Sequence, residues 1–508
     1  MQQLPLTLET PTPPPTGTVV RPVRAAAAYE GAAHTRRTRR WNAPTTTPND
    51  SMLASLPDLR DRSRAAVRND GIARSAIEKL VSNIIGTGIK PQSLAPDAGF
   101  RRDLQRLWLR WTSESDADGQ LDWYGQQAQA TRAWLESGEV FCRLRYRLPT
   151  DGLAVPLQVQ LLETEMCPLD HNVFSARGNR VRAGVEFDAV GRRRSYFFYR
   201  VRPGAASDMD TWEKVQVRAE DVIHLYDPQR PGQIRGIPHL VAALVRLWEL
   251  DKYDDAQLLR QQLSNMFVGF VTRQPQIDDE ETDPLTGLRV TDASRDDIGL
   301  EPGIFQQLDP GEDVRFSTPP DAGQTYPAFM RQQLFGIAAA TGVPYEVLTG
   351  DMQGVNDRVV RVILHEFRRR VMALQHQIVA HKLCEPVWRA WLQRALLAGA
   401  IATPAGYADD PEAWLAVRWV PQGWPYLHPV QDVEAQAKAI RSGFTSRATA
   451  VSEQGEDAEA IDEEQAADNA RADALGLRYE SDGRQTAAPA PRAAAGAREA
   501  DDDEGVTR

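Results

Sequence analysis

The sequence predicts an α+β chain of several domains arranged about one overlong helix, and three observations predict it. Apolar residues recur at threes and fours through Val359, Val362, Ile363, Phe367, Val371, Leu374, Ile378 and Leu383, a single helical stripe. Residues 142–147 and 157–161 alternate apolar and polar with period two, which is strand patterning. Two further helical stretches, 238–265 and 323–341, bracket a polar excursion. A helix of ~40 residues runs roughly 60 Å. One modest domain cannot cover it on every side, so neighbouring segments or neighbouring copies of the chain must flank it.

Taken in order, residues 1–57 are rich in Pro and Thr and read as an extended, flexible arm. Within it Arg36, Arg37, Arg39 and Arg40 stand beside Trp41, a basic patch suited to nucleic acid or an acidic protein surface, or simply solvated. From 59 to 85 the spacing of Val67, Ile72, Ala76, Ile77, Leu80, Val81 and Ile84 is helical, with Gly71 a break. Helices are also expected over 100–112 and 122–137, with Trp108, Trp111, Trp123 and Trp134 as core anchors. Strands follow at 142–147, 157–161, 185–187, 195–201 and 222–226, with Gly191 in a hairpin turn, so 59–230 is an α+β domain.

The helix over 238–265 places Leu240, Leu244, Leu247, Trp248 and Leu258 on one side and carries the acidic residues Asp251, Asp254 and Asp255. With its partner at 323–341 it frames a stalk whose tip is the acidic excursion between them, or the excursion is a surface insertion of no consequence. After residue 400 a strand is expected over 414–419, then short helices over 429–475. The end of the chain, closing on Asp501-Asp-Asp-Glu504, lacks periodicity and reads as disordered.

Composition excludes several classes. The net charge of -11 argues against a protein that grips DNA or RNA mainly by charge. Three scattered cysteines, Cys142, Cys167 and Cys384, exclude a disulfide framework and fit a reducing compartment. No apolar run approaches the ~18 residues that span a bilayer, and the N-terminus lacks a signal pattern, so a soluble, cytoplasmic protein without membrane partners is expected. No Gly-Lys pair occurs, so there is no phosphate-cradling loop. His365-Glu366 lacks the second histidine one turn on, where Arg369 stands, so no zinc site closes. The run 114–119 resembles half of a calcium loop, but position twelve is Gly125 rather than a bidentate glutamate. No nucleophile with a base, no metal site and no cofactor site stands out, so an enzyme is not expected.

The arginine face of the long helix is the remaining signal. Arg358, Arg361, His365 and Arg368 line one side. They are either a solvated face or an interface with the acidic patch Asp251, Asp254 and Asp255 of a neighbouring copy.

Several stretches taken together carry a resemblance. These are Tyr29-Glu-Gly-Ala32 with the basic arm, Leu59-Arg-Asp-Arg-Ser-Arg64, Val67-Arg-Asn-Asp70, Leu80-Val-Ser-Asn-Ile-Ile-Gly-Thr-Gly-Ile89, Gly342-Val-Pro-Tyr-Glu346 with Leu348-Thr-Gly-Asp351, and Gly443-Phe-Thr-Ser446 with Gly455-Glu-Asp457. In this order, over about residues 29–477, the chain resembles the lambda-type portal proteins of tailed bacteriophages, the head-tail connector portal family. One departure is His428-Pro429, where Asp-Pro would be expected.

The resemblance implies an α+β multidomain portal fold: an arm (1–57), a wing (58–237), a helical stem (238–266 and 321–341), a clip (267–320), a channel loop (342–357), a long wing-crossing helix (358–400), a small helical crown (401–477) and a disordered tail (478–508). It implies a homo-oligomeric ring, usually of twelve subunits, at one vertex of the phage head, assembled in the host cytoplasm. Such a ring passes double-stranded DNA during packaging and ejection. Its partners would be the terminase large subunit, a head-tail adaptor and the major capsid or scaffold protein. The channel-loop candidates are Val343, Pro344, Tyr345, Glu346, Gln353 and Asn356. The interface candidates are Arg358, Arg361, Arg368, Asp251, Asp254 and Asp255. The rival readings are a metal-dependent nucleic-acid-processing enzyme and a monomeric scaffold or adaptor.

Overall fold

The computed structural model describes residues 45–201, 212–265, 269–273, 312–316, 326–426 and 428–479, with isolated positions at 36, 40, 285, 286 and 484. The chain opens on two helices, α1 (Pro48–Asn69) and α2 (Gly71–Ile84). Thr47 caps α1 and Pro48 fits its first turn, where a missing N–H costs nothing. Met52 and Leu56 are buried, so the arm expected over 1–57 is helical and packed from Pro48 onward. The break near Gly71 is made by Asp70, whose extended backbone ends α1 and whose carboxylate accepts from the N–H groups of Ile72 and Ala73.

Strand β1 (Lys90–Ser93), α3 (Ala98–Thr112) and α4 (Trp123–Ser137) follow. Between α3 and α4 the calcium-like run is a turn in which Asp116 accepts from the N–H groups of Asp118, Gln120 and Leu121. Then come β2 (Glu139–Tyr146), β3 (Leu157–Leu162), β4 (Arg180–Arg182), β5 (Val185–Phe187), β6 (Arg193–Tyr199), β7 (Lys214–Arg218) and β8 (Val222–Tyr226). They form two sheets, ordered β3-β2-β8 and β4-β5-β6-β7, and the pairs within them are antiparallel.

A 3₁₀ turn over His239–Ala242 leads into α5 (Leu244–Asn265), which therefore starts later than the expected 238. Leu240, Leu244 and Leu247 are buried as expected, but Trp248 and Leu258 are exposed. Strands β9 (Gly269–Arg273) and β10 (Glu312–Phe316) pair antiparallel, and α6 (Tyr326–Thr341) returns alongside α5. Three contacts fix that antiparallel pair: the Tyr326 ring lies 6.2 Å from Tyr253, the Arg246 guanidinium lies against Gly336, and His239 Nε2 donates to the Thr341 carbonyl at 2.7 Å. The remainder of the excursion lies outside the described residues.

Helices α7 (Tyr345–Thr349) and α8 (Asp357–Leu374) come next, and α8 passes through a π-helical stretch, Gln375–Cys384, into α9 (Glu385–Leu397). The predicted long helix is thus continuous from Asp357 to Leu397. In place of a single strand over 414–419, the chain forms α10 (Pro411–Leu415) and then β11 (Val417–Val420), which pairs antiparallel with β1. Helices α11 (Pro429–Arg441), α12 (Arg447–Glu453) and α13 (Ala458–Leu475) close the described chain.

Five tryptophans occupy the centre of the main core: Trp108 and Trp111 of α3, Trp123 of α4, and Trp388 and Trp391 of α9. The Trp108 ring lies 4.9 Å from Trp111 and from Trp391, and 5.3 Å from Trp388. Edge-on and tilted geometry of this kind adds about 0.5–1.5 kcal/mol per pair beyond the burial of area. The C-terminal half of the long helix is therefore anchored in the α+β body.

A second internal feature is charged. Glu139, at the start of β2, is fully buried and bonded to Arg60 of α1 and to Arg235; His224 Nε2 donates to it at 2.9 Å and the Gly236 N–H at 2.7 Å. The chain can come this close because position 236 is glycine: a Cβ there would fall 1.9 Å from the Gly138 carbonyl oxygen. Arg235 also donates to the carbonyls of Cys167 at 3.2 Å and Ala183 at 2.9 Å. One carboxylate thus ties together α1, β2, β8 and the 233–236 turn.

Candidate channel loop and interface surfaces

The turn from α6 to α8 begins at Gly342, whose φ of +69° caps α6 and leaves room for the Arg370 guanidinium, which a side chain there would strike. Val343 and Leu348 then drop into the core. Tyr345 is buried too, its ring 4.4 Å from Phe335 and its hydroxyl donating to Asp351 at 2.8 Å. Arg331 lies over both rings and donates to the Gln353 carbonyl at 3.2 Å. The Gln353 N–H and the Tyr345 hydroxyl together hold the Asp351 carboxylate below its usual range, and burial raises the Tyr345 phenol. Asn356 caps α8 by accepting from the Val359 N–H at 3.0 Å.

This geometry divides the six channel-loop residues. Val343 and Tyr345 are packed inside the subunit and present no surface. Pro344 and Glu346 are half-buried, and Gln353 and Asn356 are exposed. The surface of the loop is its return limb, residues 350–358.

The arginine face divides as well. Arg361 pairs with Asp357 on its own helix at 3.2 Å, and Arg368 lies 4.9 Å over the Trp424 ring, where burial lowers its pKa. Arg358 is exposed and has no ionic partner among the described residues. On α5, Asp254 accepts the Tyr326 hydroxyl within the helical pair, while Asp251 and Asp255 are exposed. Apolar surface accompanies these charges: Val362 of α8 is 69% exposed and Trp248 of α5 is 58% exposed. Of the basic arm, Arg36 and Arg40 are exposed, and Arg37 and Arg39 lie outside the described residues. Among the described residues no three His, Cys, Asp or Glu side chains converge as a bound metal would require, and no helix is long and apolar enough to cross a membrane.

Comparison with known proteins gives the context for these surfaces. The "Probable portal protein" of Halomonas phage phiHAP-1 is 26% identical over 439 residues, covering 82% of this chain and 81% of that protein. "Portal protein B" of Escherichia phage lambda is 21% identical, covering 90% and 92% respectively. A chain in the structure described as "Neck of native GTA particle computed with C12 symmetry" is similar over 80% of this chain and 93% of that one, at 15% identity and a TM-score of 0.42. Residues 34–375 match the family described as "Phage portal protein, lambda family", a span from the basic arm to the start of the π-helical stretch. The chain belongs to the lambda family of phage portal proteins.

Proposed function

We propose that this chain is the subunit of a portal ring at one vertex of a phage head, a conduit for double-stranded DNA during packaging and ejection and a docking platform for terminase and the head-tail connector. Family membership across 34–375 supports this reading. The structural observation that carries it is the open surface of the long helix and the α5/α6 pair, where Val362, Trp248, Arg358, Asp251 and Asp255 are left uncovered in the single chain. A heterologous contact between copies, repeated around an axis, covers such surfaces and closes a ring. In this reading α5 and α6 form the stem, β9 and β10 the base of the clip, α8 to α9 the helix that crosses the wing, and 350–358 the limb nearest the channel. The net negative charge suits a conduit, because the ring as a whole exerts no general attraction on the phosphates that slide past it and any hold on them must come from a local cluster of arginines.

The subunit contact has a charge-swap test. Arg358 would meet Asp251 and Asp255 of the adjacent copy, an exposed contribution of about 0.2–1 kcal/mol per pair. Arg358→Glu should lower the fraction of closed rings in native mass spectra, and adding Asp251→Arg with Asp255→Arg should restore it. If the triple variant assembles no better than Arg358→Glu alone, that pairing is wrong.

A further inference from the structure

A concavity of about 590 Å³ opens beside the four-stranded sheet, between the 175–177 turn, the start of β6 and the end of β7. Its lining is polar and charged, and Ala176 and Ala219 are the only apolar residues in it. Every carboxylate there has a partner. Glu186, almost fully buried, accepts from Ser195, from Asn179 at 2.8 Å and from Gln216 at 2.7 Å. Asp188 accepts from the N–H groups of Val190 and Arg192, and Glu220 pairs with Arg218 at 2.6 Å. Arg193, also in the lining, donates to the Tyr226 hydroxyl. Arg177, Arg192 and Arg194 remain, all exposed and none with a carboxylate partner among the described residues.

We infer that this concavity binds the phosphate backbone of double-stranded DNA through Arg177, Arg192 and Arg194. Five arginines (177, 192, 193, 194 and 218) against three carboxylates (Glu186, Asp188 and Glu220) line the concavity, so it holds a local positive excess on a chain of net charge -11. Arginine suits phosphate oxygens because its planar fork offers two parallel donors. The lining favours nucleic acid over an acidic protein segment. Two alanines give the site no aromatic or aliphatic anchor of the kind that centres a protein–protein interface, and its polar, positive lining matches protein–DNA contacts; an acidic peptide held by the arginines alone is the competing occupant that the test separates. The three arginines are assigned to phosphate oxygens, so the contact is with the backbone and independent of sequence. Double-stranded DNA as a partner rests on the portal reading; the site itself rests on this lining.

The test titrates a short linear duplex into the assembled protein at several salt concentrations, comparing wild type with the R192Q/R194Q variant and recording native mass in parallel. Every arginine–phosphate pair removed should flatten the log–log salt slope by about 0.9, so the variant's slope is expected to be shallower by about 2, alike for unrelated sequences. Poly-glutamate at matched charge should displace the duplex from wild type poorly. An unchanged slope in an intact ring, or poly-glutamate competing as well as DNA itself, would overturn the inference. The expected slope change in a protein that native mass shows to be monomeric supports the site and counts against the portal reading alone.

Discussion

Glu139→Ala is expected to destabilise the α+β body by about 3–5 kcal/mol, because it leaves the Arg60 and Arg235 guanidiniums facing each other in a buried space without their counter-charge. For a cooperative unit of this size that corresponds to a fall in Tm of roughly 6–20 °C, read by calorimetry. The network also predicts the acid limb of stability. Burial would by itself raise the Glu139 carboxyl, but Arg235 and Arg60 outweigh it and hold the group well below the ordinary 4.5. Its contribution is therefore present above the unfolded value and is lost as pH falls through the folded one.

His224 acts over a higher range. Burial keeps the ring neutral and pulls its pKa from 6.5 to about 4. Between those values the unfolded chain takes up a proton that the folded chain refuses, so stability should fall as pH drops from 6.5 towards 4. His224→Gln retains a donor for Glu139 and should flatten that window while leaving the steeper loss below it. A Tm independent of pH from 6.5 to 4 in the wild type would contradict this assignment.

Trp391→Ala is expected to cost a further ~3–5 kcal/mol, the range for truncating a buried large aromatic when its surroundings collapse only in part. Trp391 is fully buried and lies 4.9 Å from Trp108, 5.2 Å from Trp388 and 6.2 Å from Trp111, so one deletion opens the contact between α3 and α9. Trp391→Phe should retain most of the stability. A stability loss below about 1 kcal/mol for the alanine variant, taken from the midpoint shift multiplied by the denaturant slope, would mean that the long helix is not anchored through this cluster.

How much of this the sequence discloses depends on whether the signal is local. The stripe of the long helix is legible because Phe367, Val371, Ile378 and Leu383 pack within the chain, while its first members Val359 and Val362 stay exposed, and Trp108, Trp111, Trp123 and Trp134 are core residues by bulk and spacing alone. The α5/α6 pair is legible from two helical periods around a polar run. Strand β1 is not, since it is four residues long and its partner β11, whose first three residues fall in the strand expected over 414–419, lies more than 300 residues away. The π-helical stretch leaves a trace in the spacing, since Ile378 and Leu383 stand five apart where the stripe before them steps by threes and fours, a gap that the α-helical reading passes over.

Tyr345, a channel-loop candidate by resemblance alone, is buried because Phe335, Arg331 and Asp351 converge on it, contacts that no local pattern in the sequence discloses. Glu139 carries a weak signal, a single acid heading the apolar run Val140, Phe141 and Cys142. Its partners come from positions 60, 224, 235 and 236, which only the fold brings together. The arginines of the 192–194 run carry no periodic signal in the sequence, and only the fold gathers them with Arg177 at one concavity.

Native mass spectrometry of the purified wild-type chain, paired with negative-stain images of the same sample, tests the central claim most directly. A portal subunit gives a closed assembly whose mass is a multiple of the 56.6 kDa chain, seen end-on as a ring with a central opening that admits a duplex. A protein that stays monomeric or dimeric under those conditions and shows no ring would contradict the account.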